Sequence, residues 1–155
     1  DKYENLLVVQ TMSKSRSLAG LRIGYALGSE TLIATLEAVK NSYNSYTMDA
    51  IALAAGEAAV RDEMYFQQIC RKVIATRERA AEALRELGFT VSPSLSNFLF
   101  VTHPKKEAPV IFEYLRQKNI FIRYFKLPRI DNYLRITVGT DEQVDKLIAA
   151  LKEFL

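Results

Sequence analysis

One long amphipathic segment, residues 63–87, most constrains how this chain can fold. Its apolar side chains recur at steps of three or four residues, the spacing of one face of an α-helix. These side chains are Phe66, Ile69, Val73, Ala80, Leu84 and Leu87. Gly88 follows directly and is typical of the glycine that ends a helix in a left-handed conformation. The segment therefore predicts a long helix that divides the chain, with no flexible linker around it.

The part before this helix predicts two strands and two helices. Apolar runs at residues 6–11 and 21–27 are rich in Leu, Val and Ile, which favour strands. Ser29 is predicted to cap a helix over residues 30–41, whose apolar residues are Leu32, Ile33, Leu36 and Val39. Residues 48–61 are rich in alanine, and small side chains let a helix approach its neighbours closely. We expect that helix to be deeply packed.

After Gly88 the pattern alternates between strands and helices. The predicted strands are residues 89–91, 97–102, 120–123 and 133–138, and the predicted helices are residues 107–118 and 141–154. Thr140 and Gln143 form a capping-box pattern at the start of the last helix. Its predicted buried side chains are Val144, Leu147, Ile148 and Leu151. Strands and helices interleaved in this way predict a small α/β sandwich.

Composition excludes several classes of function. The chain has 155 residues, 49% of them hydrophobic, and a net charge of only +3, which does not favour nucleic acid as a partner. No apolar run reaches the ~18 residues of a membrane span. Cys70, the single cysteine, is expected to be an inert buried thiol and fits a cytoplasmic chain. His103, the single histidine, has no partner motif, so no metal site is predicted.

Polar residues cluster where the first predicted strand ends. Lys14 follows Thr11 and Ser13, and Arg22 opens the next apolar run. A neutral amine can form a Schiff base and then act as a general base, while hydroxyls and a guanidinium suit a phosphate dianion. Pyridoxal phosphate needs both functions. The alternatives are a solvated lysine and hydroxyls that satisfy the local backbone. Arg16 is expected to be a solvated side chain.

Two arginines stand out near the C-terminus. Arg135 lies within an apolar strand, and a buried arginine needs an anionic partner. The alternative is an arginine on an open sheet face, paired with a glutamate. Arg123 precedes it and could join it on a phosphate or a carboxylate, whereas Lys126 and Arg129 are expected to face solvent. For Asn97 two roles stay open: a hydrogen bond near Arg135, or satisfaction of the backbone.

Seven residues of the lysine segment complete a known pattern. They are Thr11, Ser13, Lys14, Ala19, Gly20, Arg22 and Gly24. The segment resembles the Schiff-base segment of fold-type I pyridoxal-phosphate aminotransferases, in particular the histidinol-phosphate aminotransferases. Further matches are Ser96-Asn97-Phe98, the strand from Tyr133 to Gly139, and Tyr43-Asn44, where Ser42 replaces the usual proline.

The resemblance implies a role for each candidate residue. Lys14 would be the catalytic residue, which holds pyridoxal 5'-phosphate and then moves a proton. The phosphate of that cofactor would be bound by Thr11, Ser13 and Arg22. Arg135 would bind the α-carboxylate of the amino acid, Arg123 the phosphate of the substrate, and Asn97 would complete the substrate site. Tyr43 and Asn44 would approach the site or a dimer interface.

The resemblance also implies a fold and an activity. The expected α/β architecture is the end of the large cofactor domain's sheet (residues 1–62), a connecting helix (63–88) and a small C-terminal sandwich (89–155). Enzymes of this family have ~350 residues, so the chain is expected to be a C-terminal part that is inactive alone. The expected reaction, in histidine biosynthesis, exchanges an amino group between L-glutamate and histidinol phosphate. The expected enzyme is a cytoplasmic homodimer.

Two alternatives remain at this stage. The first is another fold-type I enzyme, such as an aromatic aminotransferase or a threonine-phosphate decarboxylase, since these share the lysine and phosphate motifs. The second is a non-catalytic module that self-associates through apolar surface on its first strands and its alanine-rich helix.

Overall fold

The computed structural model describes residues 3–155, which form two compact units divided between Gln68 and Ile69. The described residues contain six α-helices, one 3₁₀ turn and two antiparallel sheets. The predicted α/β class is therefore confirmed. No helix within residues 3–155 is long and apolar enough to cross a membrane.

The first unit contains a two-stranded antiparallel sheet. Strand β1 pairs with strand β2 so that Val8 lies opposite Leu27 and Thr11 lies opposite Gly24. Both predicted strands and both predicted helices are present. The elements are β1 (Val8–Thr11), α1 (Met12–Ser15), a 3₁₀ turn (Ala19–Leu21), β2 (Gly24–Leu27), α2 (Glu30–Tyr43) and α3 (Ala50–Arg61).

The prediction that the alanine-rich helix is deeply packed is wrong for this chain. Among the described residues of α3, Ala52 and Gly56 are buried, whereas Ile51, Leu53 and Val60 are at least half exposed. Helix α2 has no buried residue. Ser29 is its N-cap residue, as predicted, but the Ser29 hydroxyl donates to the Glu4 carbonyl at 3.0 Å and accepts no hydrogen bond from the N–H groups of the helix. Exposed apolar surface on this unit is the feature on which the self-association hypothesis depends.

The second unit is a four-stranded antiparallel sheet with helices. The sheet order is β3-β4-β6-β5, and every neighbouring pair is antiparallel. Helix α4 begins in the first unit and ends in the second. The elements are α4 (Glu63–Glu86), β3 (Thr90–Val91), β4 (Phe98–Thr102), α5 (Ala108–Gln117), β5 (Arg123–Tyr124), β6 (Leu134–Thr137) and α6 (Asp141–Phe154).

The core of this unit follows the two-residue period of its strands. One face of the sheet carries buried apolar residues, Leu99 and Val101 on β4 and Leu134 and Ile136 on β6. The helices contribute Ala80, Leu84, Ile111, Leu115, Val144, Leu147, Ile148 and Leu151 to the same cluster. The opposite face carries Arg135 and its aromatic neighbours. The predicted sandwich, and all four predicted buried residues of α6, are confirmed.

The start of α6 is held by two sets of polar contacts. The predicted capping box is confirmed, since Gln143 N donates to Thr140 Oγ1 at 3.3 Å and Thr140 N donates to Gln143 Oε1 at 2.9 Å. Arg79 on α4 also pairs with Asp141, at 3.0 Å. Hydrogen bonds from Arg79 and Thr76 lower the pKa of Asp141 below its ordinary 3.8. These contacts fix where β6 ends and α6 begins.

Gly88 ends α4 with the backbone conformation that its sequence position predicted. Its φ is +86°, Gly88 N donates to Arg85 O, and Phe89 N donates to Leu84 O. This is a Schellman motif, which satisfies carbonyls that the helix end would leave unpaired. Phe89 is then placed in the core beside the ring of His103, at 5.0 Å.

We expect Gly88→Ala to lower the free energy of unfolding by about 1–2 kcal/mol, measured by urea denaturation. The alanine would be held at a left-handed φ, and its Cβ would lie 3.2 Å from Nε2 of His103. The control is Gly20→Ala, whose Cβ would meet nothing within 4 Å. Equal stability of the two variants would contradict the expectation, and Gly88→Asn should recover part of the loss because asparagine tolerates positive φ.

Candidate functional site

The turn after β1 is organised by the hydroxyl of Thr11. Thr11 caps helix α1, and its Oγ1 accepts a hydrogen bond from Ser13 N at 3.1 Å. The same hydroxyl donates to Ile23 O at 3.1 Å and lies 2.8 Å from Ser13 Oγ. The structure therefore brings Thr11 and Ser13 together. Because Thr11 has a single proton, its bond to Ile23 O makes Ser13 Oγ the donor to Thr11, so Ser13 can donate to a ligand only by exchanging that contact.

Lys14 lies on the one-turn helix α1 with its side chain exposed. Within residues 3–155 no hydrogen bond or ion pair is found for its amine. Lys14 is one residue from Ser13 and three from Thr11 along the chain. It can therefore reach a ligand at this end of β1 without first breaking a contact.

Arg22 has an unusual backbone for an arginine. Its φ is +56°, in the left-handed region that non-glycine residues seldom occupy. One guanidinium nitrogen donates to Ala19 O at 3.0 Å, and the side chain is otherwise exposed. No carboxylate pairs with it in the described part of the chain. Most of its five N–H donors are thus available to an anion.

The donor set at this turn fits a phosphate. Ser13 offers a hydroxyl and Arg22 offers a planar guanidinium. Thr11 contacts Ser13 and the carbonyl of Ile23, which directly follows Arg22. Charge-assisted hydrogen bonds from such groups are the usual means of holding a phosphate dianion. An amine that can form an imine, together with phosphate-binding groups on the same short segment, can bind an aldehyde that carries a phosphate.

Arg16 is not the solvated side chain that its sequence suggested. Its guanidinium donates to Ala59 O at 2.9 Å and to Glu63 Oε2 at 3.1 Å, and it lies 3.8 Å from the centroid of the Phe66 ring. The Arg16 side chain is 15% exposed. Glu63 accepts hydrogen bonds from Gln67 and Arg16, and these bonds, that from Gln67 most, lower the pKa of the Glu63 carboxyl group. The partners of Arg16 are far away in sequence, so no local pattern could reveal them.

Arg135 lies on β6, on the face of the sheet opposite the helices. Its Nε is buried and has no hydrogen-bond partner in the described structure. Its guanidinium carbon lies 5.5 Å from the ring centroids of both Phe98 and Phe125. No glutamate pairs with it among residues 3–155. An orphaned buried N–H of this kind points to an anionic ligand.

Arg123 lies directly opposite Arg135 in the sheet. The two residues are paired in register on β5 and β6, so their side chains emerge close together on one face. Like charges that face each other across strands are destabilising unless an anion lies between them. The structure therefore brings Arg123 and Arg135 together in an arrangement suited to a phosphate or a carboxylate.

Asn97 directly precedes β4, and its main-chain carbonyl accepts a hydrogen bond from Val138 N at 2.9 Å. Its side-chain Oδ1 lies 3.4 Å from Ser96 Oγ, which leaves both predicted roles open. Arg77, which was not among the predicted residues, is 5% exposed and donates to Ser96 O at 3.1 Å. Arg77 holds the turn before β4, and its position on the buried side of α4 was the only available signal.

The remaining polar candidates lie as follows. Lys126 and Arg129 are exposed, as expected. Tyr43 is 93% exposed at the end of α2, and Asn44 Oδ1 accepts from Tyr46 N. His103 is buried, and its Nδ1 accepts from Lys105 N at 3.2 Å. Cys70 is partly buried. No cluster of three or more metal-ligating side chains occurs within the described residues.

The family described as "Aminotransferase class I and II" matches residues 1–151. Histidinol-phosphate aminotransferase 2 of Dechloromonas aromatica is 54% identical over 153 residues, which are 99% of this chain and 43% of that protein. Histidinol-phosphate aminotransferase of a Marinomonas species is 55% identical over 154 residues, or 98% of this chain and 44% of that protein. The chain thus spans less than half the length of these relatives.

A solved structure of an aminotransferase is similar to this chain in fold. The crystal structure of histidinol-phosphate aminotransferase from Sinorhizobium meliloti, in complex with pyridoxal-5'-phosphate, superimposes with a TM-score of 0.84 at 29% identity. The match covers 98% of this chain and 42% of that one.

Proposed function

Because the chain belongs to the class I and II aminotransferase family, we propose that it is the C-terminal part of a pyridoxal-phosphate enzyme. The full-length enzyme would transfer an amino group between L-glutamate and histidinol phosphate, in histidine biosynthesis. The feature that most supports this assignment is the unpartnered amine of Lys14 on the turn that also carries Ser13 and, after the 3₁₀ segment, Arg22.

The cofactor-binding residues would divide two tasks. Ser13 and Arg22 would hold the cofactor phosphate, since Arg22 has free N–H donors and the Ser13 hydroxyl can turn its proton from Thr11 to the phosphate. Thr11 would act mainly on the turn, because its hydroxyl already caps α1 and contacts Ile23 O. Bound pyridoxal phosphate supplies an aldehyde for Schiff-base formation and an electron sink for the substrate's Cα. Lys14 would tether it and, once freed by the substrate, carry a proton to and from that Cα.

The substrate-binding residues would be the arginine pair and Asn97. Arg135 would bind the carboxylate of glutamate with its two parallel N–H donors. Arg123, its neighbour in the sheet, would add the second cation that the phosphate of histidinol phosphate requires. Asn97, directly before β4, would contribute a side-chain amide to the same anion-binding surface.

The domain assignment follows the same family. Residues 1–62 would belong to the large cofactor domain, residues 63–88 to the connecting helix, and residues 89–155 to the small domain. We further propose a homodimer in the cytoplasm. Light scattering on the full-length enzyme tests the oligomeric state.

The reaction can be tested directly with the full-length enzyme. Supplied with pyridoxal phosphate, histidinol phosphate and 2-oxoglutarate, it should form L-glutamate in a coupled assay, and the 155-residue chain alone should form none. Phenylalanine and threonine phosphate are the comparison substrates. Faster turnover of phenylalanine would favour an aromatic aminotransferase, and release of CO2 from threonine phosphate would favour the decarboxylase. Turnover by the isolated chain would refute the proposed dependence on the rest of the enzyme.

We expect Arg123→Ala in the full-length enzyme to raise KM for histidinol phosphate roughly 10- to 100-fold, as loss of a charge-assisted hydrogen bond would. The KM for glutamate should change less, because Arg135 still binds a carboxylate. Lys126→Ala is the matched control, since it removes an exposed positive charge from the same connection. Equal increases for both substrates would argue against a role of Arg123 specific to phosphate.

A further inference from the structure

A single aromatic ring, that of Phe125, contacts both arginines of the substrate-binding pair. Its centroid lies 5.4 Å from the guanidinium carbon of Arg123 and 5.5 Å from that of Arg135. We propose that Phe125 is a positioning residue, which holds the two guanidinium groups side by side so that one anion can bind both. This inference rests on the proposed function of the pair.

The need for such a residue follows from the register of the sheet. Arg123 and Arg135 are directly opposed on β5 and β6, and their charges repel each other. In the described structure no carboxylate neutralises either side chain. Without another attractive contact, the more exposed Arg123 would turn away into solvent, and the pair would be separated in the absence of a ligand.

An aromatic ring supplies that contact without competing with a ligand. The negative face of the ring attracts a guanidinium group placed within about 6 Å of its centroid. A carboxylate in the same place would occupy the N–H donors, whereas an aromatic ring leaves donors at the guanidinium edge available. Phe125 directly follows β5, so the strand that carries Arg123 also sets the position of the ring.

Two other phenylalanines allow a controlled test. Phe98 on β4 lies 5.5 Å from the guanidinium carbon of Arg135, and no contact with Arg123 is found within residues 3–155. Phe121 is 79% exposed in the segment before β5 and contacts neither guanidinium group. Replacing each with leucine therefore removes a ring that contacts both arginines, one arginine or none.

The experiment measures binding of inorganic phosphate to the full-length enzyme loaded with pyridoxal phosphate, through the side-chain Nε–Hε NMR signals of Arg123 and Arg135. We expect Phe125→Leu to weaken phosphate binding roughly 3- to 30-fold, the range that loss of a cation–π contact allows. The same variant should shift both arginine signals. Phe125→Trp should retain binding, Phe98→Leu should shift the Arg135 signal alone, and Phe121→Leu should change neither. Phe125→Met, which keeps an apolar side chain without a ring, should match Phe125→Leu and serves if leucine impairs folding.

The outcomes separate this inference from the proposed function. Phe125→Leu and Phe125→Met are compared with a double variant that carries Arg123→Ala and Arg135→Ala. If only the double variant loses phosphate binding, the positioning role of Phe125 is overturned and the arginine site stands. If the double arginine variant also binds normally, the proposed arginine site itself is wrong, and the inference falls with it.

Discussion

Replacing Lys14 with alanine in the full-length enzyme should lower kcat by at least roughly 10⁴-fold, since one residue supplies both the covalent tether and the proton transfer. Lys14→Arg should be as inactive as Lys14→Ala, because a guanidinium group stays protonated and cannot act as a nucleophile or a base. The arginine variant therefore separates the chemistry of the amine from its charge.

The Lys14 assignment also has a direct chemical readout. After incubation with pyridoxal phosphate and reduction by borohydride, mass spectrometry of the full-length enzyme should place the adduct on the peptide that contains Lys14. Lys40→Ala, which removes an exposed lysine of α2, is the control and should retain both the adduct and the activity. An adduct on a different lysine in the parent enzyme would overturn the assignment.

Replacing Arg135 with leucine should lower kcat/KM by about 30- to 5,000-fold, equivalent to about 2–5 kcal/mol for the loss of a buried charge contact. The same change should not lower the free energy of unfolding. Removing a buried Nε that has no partner and a positive charge that faces Arg123 should offset the loss of the contacts with the Phe98 and Phe125 rings. A residue retained for structure alone would show the opposite result, with lower stability and little change in activity.

Steady-state kinetics and urea denaturation of the same variants test this expectation. Arg135→Lys should fall between the parent and the leucine variant, since lysine keeps the charge but loses the bidentate geometry. Arg116→Ala, which removes an exposed arginine paired with Glu113 at 3.1 Å, is the control and should change kcat/KM little. A clear loss of stability in Arg135→Leu would show that Arg135 supports the sheet itself.

Much of the second unit could be predicted from local patterns. Helix α6 was predicted with its observed bounds, because the capping box of Thr140 and Gln143 and the apolar stripe beyond it lie within a few neighbouring turns. The end of α4 at Gly88 was predictable for the same reason, since only glycine adopts its φ without strain. The candidate residues of the lysine segment were also identified locally, by residue type and spacing.

The exposure of the first unit could not be predicted in this way. An alanine-rich, apolar helix usually packs on all sides, yet Ile51, Leu53 and Val60 on α3 remain exposed. A sequence pattern identifies which face of a helix is apolar, but not which segment covers that face. That depends on contacts between distant residues, and the burial of this helix was therefore overestimated.

The residue types along the chain were sufficient to identify Lys14, Arg22 and Arg135 as chemically unusual, and to predict the helices and strands that carry them. Folding was needed to determine which partners each charged side chain has. Arg16 is bound to Ala59 O and Glu63, whereas Arg135 has a buried Nε without a partner and faces a second arginine across the sheet. Local backbone preference and side-chain periodicity act over a few residues, whereas the pairing of a charge depends on groups that only the folded chain brings within a few ångströms of it.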